Sequence, residues 1–176
     1  MRIVGPESAG KTTVARALAA HFTAVWVPEF ARGYLEAKKG RLEVADLLEI
    51  ARGQAQLEDA AALGIREPTS FSGGRVAGGL LFCDTDPATT ALWARALFGS
   101  TDPAITALAA GRRYALTLLL APAPWVPDPV RYQPAAGDRQ AFFEACIVAF
   151  PNAVVLEGGW QARWDAAVGA VGRLIR

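Results

Sequence analysis

With 176 residues, a formal charge of +1 and 52% apolar side chains, the chain can bury one core without disulfides or a structural metal, and a single domain spanning residues 1–176 is expected. Acids and bases are mixed too evenly for a polyanion-binding stripe, which speaks against nucleic acid as partner, and the separated Cys83 and Cys146, with no CxxC pair, fit a reduced, cytosolic protein rather than a zinc site. No run approaches the roughly 18 apolar residues of a membrane helix, and the glycine loop at Gly5 starts too early for a signal peptide to precede it, so no membrane partner is expected.

Arg2-Ile3-Val4 reads as a short strand, and Val14, Ala17, Leu18 and His21 recur at helical spacing from Lys11 to Phe22. Ala24 to Val27 is a second apolar run, ended by Pro28 and expected as a buried strand. A helix begins near Glu29, and a longer amphipathic one runs from about Leu42 to Leu63, with Gln54 on its apolar stripe. Residues 66–79 have loop composition, Gly-rich from 72 to 79. The strand Leu80 to Cys83 then ends in Asp84. Helices follow over about 88–98 and 103–111, then a strand over 115–121 whose Leu118-Leu119-Leu120 is expected to be buried on both faces. Five prolines forbid a regular element between Ala121 and Ala136. A helix starts near Asp138, its expected N-cap, with Phe142, Cys146 and Ala149 inward. Ala153 to Leu156 is a fifth strand, and Trp164, Ala167, Val168, Val171, Leu174 and Ile175 face one side of a closing helix. Strands alternating with helices predict an α/β fold, three layers deep, around a parallel sheet of about five strands.

Gly5-Pro-Glu-Ser-Ala-Gly-Lys-Thr12 matches G-x-x-x-x-G-K-[ST]. The glycines let successive backbone N–H groups turn toward a phosphate at a helix N-terminus. The loop from Glu7, Ser8, Ala9 and Gly10 to Thr13 would hold the phosphates, Lys11 would add a point charge, and Thr12 would offer a hydroxyl to Mg²⁺. A nucleoside triphosphate, ATP by default, is the expected ligand. The metal also needs an acid at a strand end. Asp84 fits, and Asp86 could serve as well; Asp86 could instead cap the helix beginning at Pro87.

Transfer of the γ-phosphoryl to a small hydroxyl acceptor is favoured over GTPase or motor chemistry, because no Asn-Lys-x-Asp segment is present and the chain has little room for a second domain. Glu29 lies at the sheet edge where α/β proteins put ligands, and Arg32, one turn on, would point the same way. Alternatively the two form an ordinary surface ion pair. Residues 122–139 read as a lid: Trp125, Arg131 and Arg139 could close over nucleotide, or Trp125 could plug the core edge with both arginines solvated. His21 is expected to be a packed or surface residue.

Together, Gly5-Pro-Glu-Ser-Ala-Gly-Lys-Thr-Thr13, Glu29-Phe-Ala-Arg32, Gly53-Gln-Ala-Gln56, Cys83-Asp-Thr-Asp-Pro-Ala-Thr-Thr90 and Trp125-Val-Pro-Asp-Pro-Val-Arg131 with Asp138-Arg139 resemble the ribosylnicotinamide kinase domain of the bacterial NAD-biosynthesis regulator family. The resemblance implies a P-loop kinase fold and ATP-dependent phosphorylation of the 5′-hydroxyl of nicotinamide riboside. It implies Lys11, Glu29, Asp84, Arg131 and Arg139 as catalytic, Glu29, Arg32, Gln54, Asp86 and Trp125 around a nucleoside-like acceptor, and Thr12 with Asp84 at the metal. Gln54 could equally be a buried amide bonded to backbone. Pro129 stands where the family usually has glycine, residues 72–79 look like an addition, and no adenylyltransferase domain precedes the loop, so the kinase step alone is expected. A kinase for another nucleoside or small hydroxyl acceptor, and a non-catalytic or slow ATP-binding regulator, are the alternatives.

Overall fold

The backbone alternation of β1 (Arg2–Val4) sets the architecture: Ile3 and Val4 point to opposite faces, and both are fully buried. A computed structural model describes residues 1–66, 79–133 and 135–176, with side chains for all of these but 65 and 66. The other strands are β2 (Val25–Val27), β3 (Leu81–Asp84), β4 (Thr117–Leu120) and β5 (Val154–Leu156). All pairings are parallel, in the order β2-β3-β1-β4-β5.

Helices α1 (Lys11–His21) and α7 (Trp160–Leu174) cover one face, where Ile3, Phe82, Leu118 and Leu120 meet Leu18 and Val171. On the other face Val4 and Leu119 pack against Leu92 of α4 (Pro87–Phe98) and Phe142 and Cys146 of α6 (Ala136–Ala149). The three-layer α/β/α expectation is met. The remaining helices are α2 (Phe30–Ala37), α3 (Asp46–Arg66) and α5 (Pro103–Ala110); α3 packs against β2 and β3, and α3, α4 and α5 share a third core through Leu47, Ala51, Ala91, Ala94 and Ile105.

Several expectations need correction. The run from Ala24 forms an edge strand, so Val25 and Trp26 are only half-buried, and Arg16 lies over the Trp26 ring at 5.3 Å. The long helix starts at Asp46, not near Leu42, because the Asp46 carboxylate takes the Glu43 N–H at 2.7 Å as well as Lys38 and the Tyr34 hydroxyl. It also runs past Leu63 to Arg66. The remainder of the expected 66–79 loop, with its Gly-rich stretch up to residue 78, lies outside the described residues. Helix α6 is capped by Ala135, so Asp138 falls in its first turn; Ala149 is exposed, and Phe150 takes the inward place instead. Leu174 and Ile175 are also exposed at the end of α7.

Where the order of strands reverses, the sheet leaves a crevice at its C-terminal edge. From β1 the chain goes to one side for β2 and β3 and to the other for β4 and β5. The glycine loop leaves β1 at that point. Gly5 (φ 142) is required there, since a Cβ would stand 2.6 Å from the Leu120 carbonyl oxygen.

Candidate active site

A cleft of about 320 Å³ opens above the glycine loop. Residues Glu7 to Thr13 line it, with Glu29, Arg32, Asp128 and Arg131 as the other charged groups. Leu35, Leu42, Leu47, Ile50, Trp93 and Leu97 form its apolar wall. A cleft with one polar side, built from the glycine loop and charged groups of both signs, and one apolar side suits a ligand with a polar end and a ring end.

Gly10, at φ 90, is the N-cap of α1, whose first-turn N–H groups therefore face the cleft without a capping side chain. Lys11 Nζ donates to the Pro6 carbonyl at 2.9 Å, which holds the ammonium across its own loop. Thr12 Oγ1 donates to Asp84 Oδ2 at 2.5 Å. Asp84 is fully buried, and its Oδ1 has no hydrogen-bond partner among the described residues. Burial, reinforced by the nearby Glu29 carboxylate, pushes its pKa up to about 6. Of the two candidate strand-end acids, only Asp84 bonds to the loop threonine.

Asp86 is committed elsewhere. Its Oδ1 accepts the Thr89 N–H at 2.9 Å as the N-cap of α4, and its Oδ2 pairs with Arg2 at 2.6 Å. Gln54 is likewise a satisfied core amide: Oε1 accepts the Phe30 N–H at 2.9 Å at the start of α2, and Nε2 donates to Glu58. Neither residue lines the cleft. The family block containing Gln54 has another physical reason, because a Cβ at Gly53 would stand 2.4 Å from the Phe30 ring.

The proline-rich segment is irregular from Ala121 to Gln133, as expected. Asp128 to Arg131 forms a turn, with the Arg131 N–H on the Asp128 carbonyl and the Val130 N–H on Asp128 Oδ1. Proline after aspartate is favoured in such a turn, so Pro129 suits the local backbone. Arg32 does not pair with Glu29; it bonds Asp128 at 3.1 Å, linking α2 to this segment. The Val130 N–H and Arg32 hold the Asp128 carboxyl below its ordinary pKa. Trp125 and Arg139 stay out of the cleft lining. Arg139 is buried, donates to the Gln133 carbonyl, and lies 5.1 Å from the Trp125 ring, which Arg131 approaches at 5.6 Å.

Two residues were not anticipated. Tyr132 lines the cleft and donates its hydroxyl to the Gly40 carbonyl at 2.6 Å. Arg163 of α7, buried, donates to the carbonyls of Ala9, Ala121, Pro122 and Gly158, so it holds the glycine loop and the start of the proline-rich segment together. Its position one helical turn before Ala167, on an otherwise apolar stripe, was the available signal. Among the described residues no cluster of three or more His, Cys, Asp or Glu could hold a metal, and no helix is long and apolar enough to cross a membrane.

A family model described as an AAA domain matches residues 1–163. The chain belongs to that family. The trifunctional NAD biosynthesis/regulator protein NadR of Salmonella typhimurium is 32% identical over 145 residues, covering 80% of this chain and 32% of that protein. The chain thus spans about a third of the length of that curated relative, and the resemblance read from the sequence motifs is borne out. Two solved structures share the fold. A NadR protein in complex with NAD and AMP-PNP superposes with a TM-score of 0.75 at 23% identity, over 99% of this chain and 48% of that one. A NadR protein in complex with NR gives 0.77 at 22% identity, over 99% and 50%.

Proposed function

We propose that the chain is an ATP-dependent kinase that phosphorylates the 5′-hydroxyl of nicotinamide riboside to nicotinamide mononucleotide. The observation that carries this reading is the shared cleft, in which the phosphate loop, Glu29, Arg32 and Arg131 surround one space with an apolar far wall. The names of the similar proteins support the acceptor.

In this scheme the loop amides and Lys11 hold the triphosphate, and Glu29 orients the acceptor hydroxyl and takes its proton. Residues 122–139 act as a lid whose Arg131 faces the moving phosphoryl; Arg139 and Trp125 serve from behind it. The donor set fits a magnesium ion, since the Thr12 hydroxyl already meets Asp84, which keeps one buried oxygen without a partner among the described residues. Thr12 and Asp84 would hold the ion, and it would supply charge neutralisation to the phosphates. Positioning and electrostatics do the rest.

Incubating the protein with ATP, Mg²⁺ and a panel of nucleosides tests the reading. ADP release dependent on nicotinamide riboside is expected. Turnover with a different nucleoside alone would replace the acceptor, and tight ATP binding without turnover would make the chain a regulator.

A further inference from the structure

Two side chains of the phosphate loop, both in the cleft lining, bond the proline-rich segment. The Glu7 carboxylate accepts the backbone N–H groups of Tyr132 at 2.9 Å and Gln133 at 2.7 Å. Ser8 Oγ accepts the Val126 N–H at 2.9 Å and donates to the Pro124 carbonyl at 3.1 Å. Neither position is specified by the phosphate-binding pattern, which leaves both free to vary.

We infer that Glu7 and Ser8 are positioning residues that latch the lid to the phosphate loop and thereby fix Arg131 over the cleft. Residues 121–133 form no helix or strand that would use their backbone groups, and such groups need partners. The latch supplies them at two points that bracket Arg131. On one side the Arg131 guanidinium bonds the Val126 carbonyl, and Val126 is itself tied through its N–H to Ser8. On the other side the next residue, Tyr132, is tied to Glu7. Charge also argues for the latch. A carboxylate on a phosphate loop repels an incoming anion, and turning it onto two N–H donors directs that charge at the lid instead. Ser8 holds a left-handed φ of 62, uncommon for a residue other than glycine, so the loop turn is kept in spite of a side chain that glycine would spare.

The latch builds on the kinase reading only where turnover is measured. The experiment combines hydrogen exchange of the full chain, followed on peptides covering residues 126–133, with steady-state kinetics for Glu7→Gln and Ser8→Ala. Both N–H groups meet one Glu7 oxygen and that of Tyr132 also meets the other, so in Glu7→Gln the charge is lost and the NH₂ in place of either oxygen confronts a backbone donor. In either variant, exchange in 126–133 should speed up by about ten-fold or more, the range set by a lost charge-assisted or paired hydrogen bond. Peptides from β1 and α1 should exchange as before. Turnover should fall by about ten-fold with KM for ATP changed by less than about three-fold. Because both residues hold one segment, the double variant should lose much less than the product of the single losses. Unchanged exchange in both variants with a raised KM for ATP would make Glu7 and Ser8 nucleotide ligands and overturn the latch. Faster exchange with unchanged kcat would overturn the positioning of Arg131. Absence of any turnover by the unmodified chain would sink the kinase reading alone, and exchange would still decide the latch.

Discussion

The cleft at the C-terminal ends of the strands and the polar cluster near their N-terminal ends use the same residue types differently. In that second cluster Glu58 accepts Arg112 Nε at 3.1 Å, the Tyr114 hydroxyl at 2.6 Å and the Gln54 amide at 3.4 Å. Arg112 spreads its remaining donors over Asp59 and the Ala55 carbonyl. In the cleft, the Asp84 carboxylate accepts from Thr12 on one oxygen, and its other oxygen is buried with no partner among the described residues. Burial raises the pKa of both acids, but Glu58 has a full set of donors to offset it, while Asp84 is left with Thr12. Completed polar networks hold a fold, and incomplete ones are where a ligand can be accommodated.

Lys11→Ala should break the cleft side of this comparison most severely. Loss of the loop cation removes charge stabilisation of the moving phosphoryl and should lower riboside-dependent kcat by about 10²–10³-fold. The melting temperature should move little, because Lys11 makes a single hydrogen bond to Pro6. Retained turnover would remove the phosphate loop from the mechanism.

Asp84→Asn comes next, with activity and stability moving in opposite directions. Activity should fall by about 10²-fold, on the scale of losing one preorganised electrostatic group. An acid raised from its ordinary range to about 6 binds more protons folded than unfolded between those two values. Stability therefore declines as pH rises through about 4 to 6, and the cost persists above that. The neutral amide escapes the cost, so Asp84→Asn should melt higher than the unmodified chain at pH 8, with the gain vanishing near pH 4. Thermal melts across that range check the sign; a variant less stable at pH 8 would mean the ionised acid is well solvated or paired.

These opposed roles explain what the sequence disclosed. The phosphate loop, the five strands and the apolar Leu118-Leu119-Leu120 run of β4 were legible because period and glycine spacing are local properties. Asp84 could be picked as a candidate from its place at a strand end. Asp86, two residues later in the same motif, could not be separated from it, because its commitment to Arg2 arises from a strand 84 residues distant. Gln54 on an apolar stripe looked like a pocket residue for the same reason; its partner is the free N–H at the start of α2, which only packing brings near. Glu7 and Ser8 were beyond reach as connectors because each bonds to backbone, and backbone partners leave no residue-type signal; Arg163 offered only its place on an apolar stripe.

On the other side of the comparison, Arg112→Met should cost stability and spare catalysis. Removing one partner of a largely buried pair leaves Glu58 without its cation, a loss of about 3 kcal/mol. Turnover per folded molecule should stay as it was. Adding Glu58→Gln should recover part of the loss, since the stranded charge goes with it. Denaturant melts of the two variants provide the check, and additive losses would show that Glu58 and Arg112 are not coupled.

Arg32→Ala tests the boundary between the two behaviours and should have the smallest effect on the fold. Arg32 is 39% exposed and its bond to Asp128 is a partly solvated ion pair, so the stability loss should be about 0.5 kcal/mol and shrink in high salt. By surface-pair standards the residue would then be dispensable. Its position differs from that of an ordinary surface pair, however, because both partners line the cleft and join α2 to the lid. KM for the acceptor should consequently rise by about ten-fold, the scale of one lost hydrogen bond to a charged group, while KM for ATP stays level. Asp128→Asn should reproduce the direction at smaller size, since its amide oxygen still accepts from Arg32. An unchanged acceptor KM in both variants would return Arg32 and Asp128 to the class of structural pairs, leaving Glu29 and Arg131 as the charged groups that face the reaction.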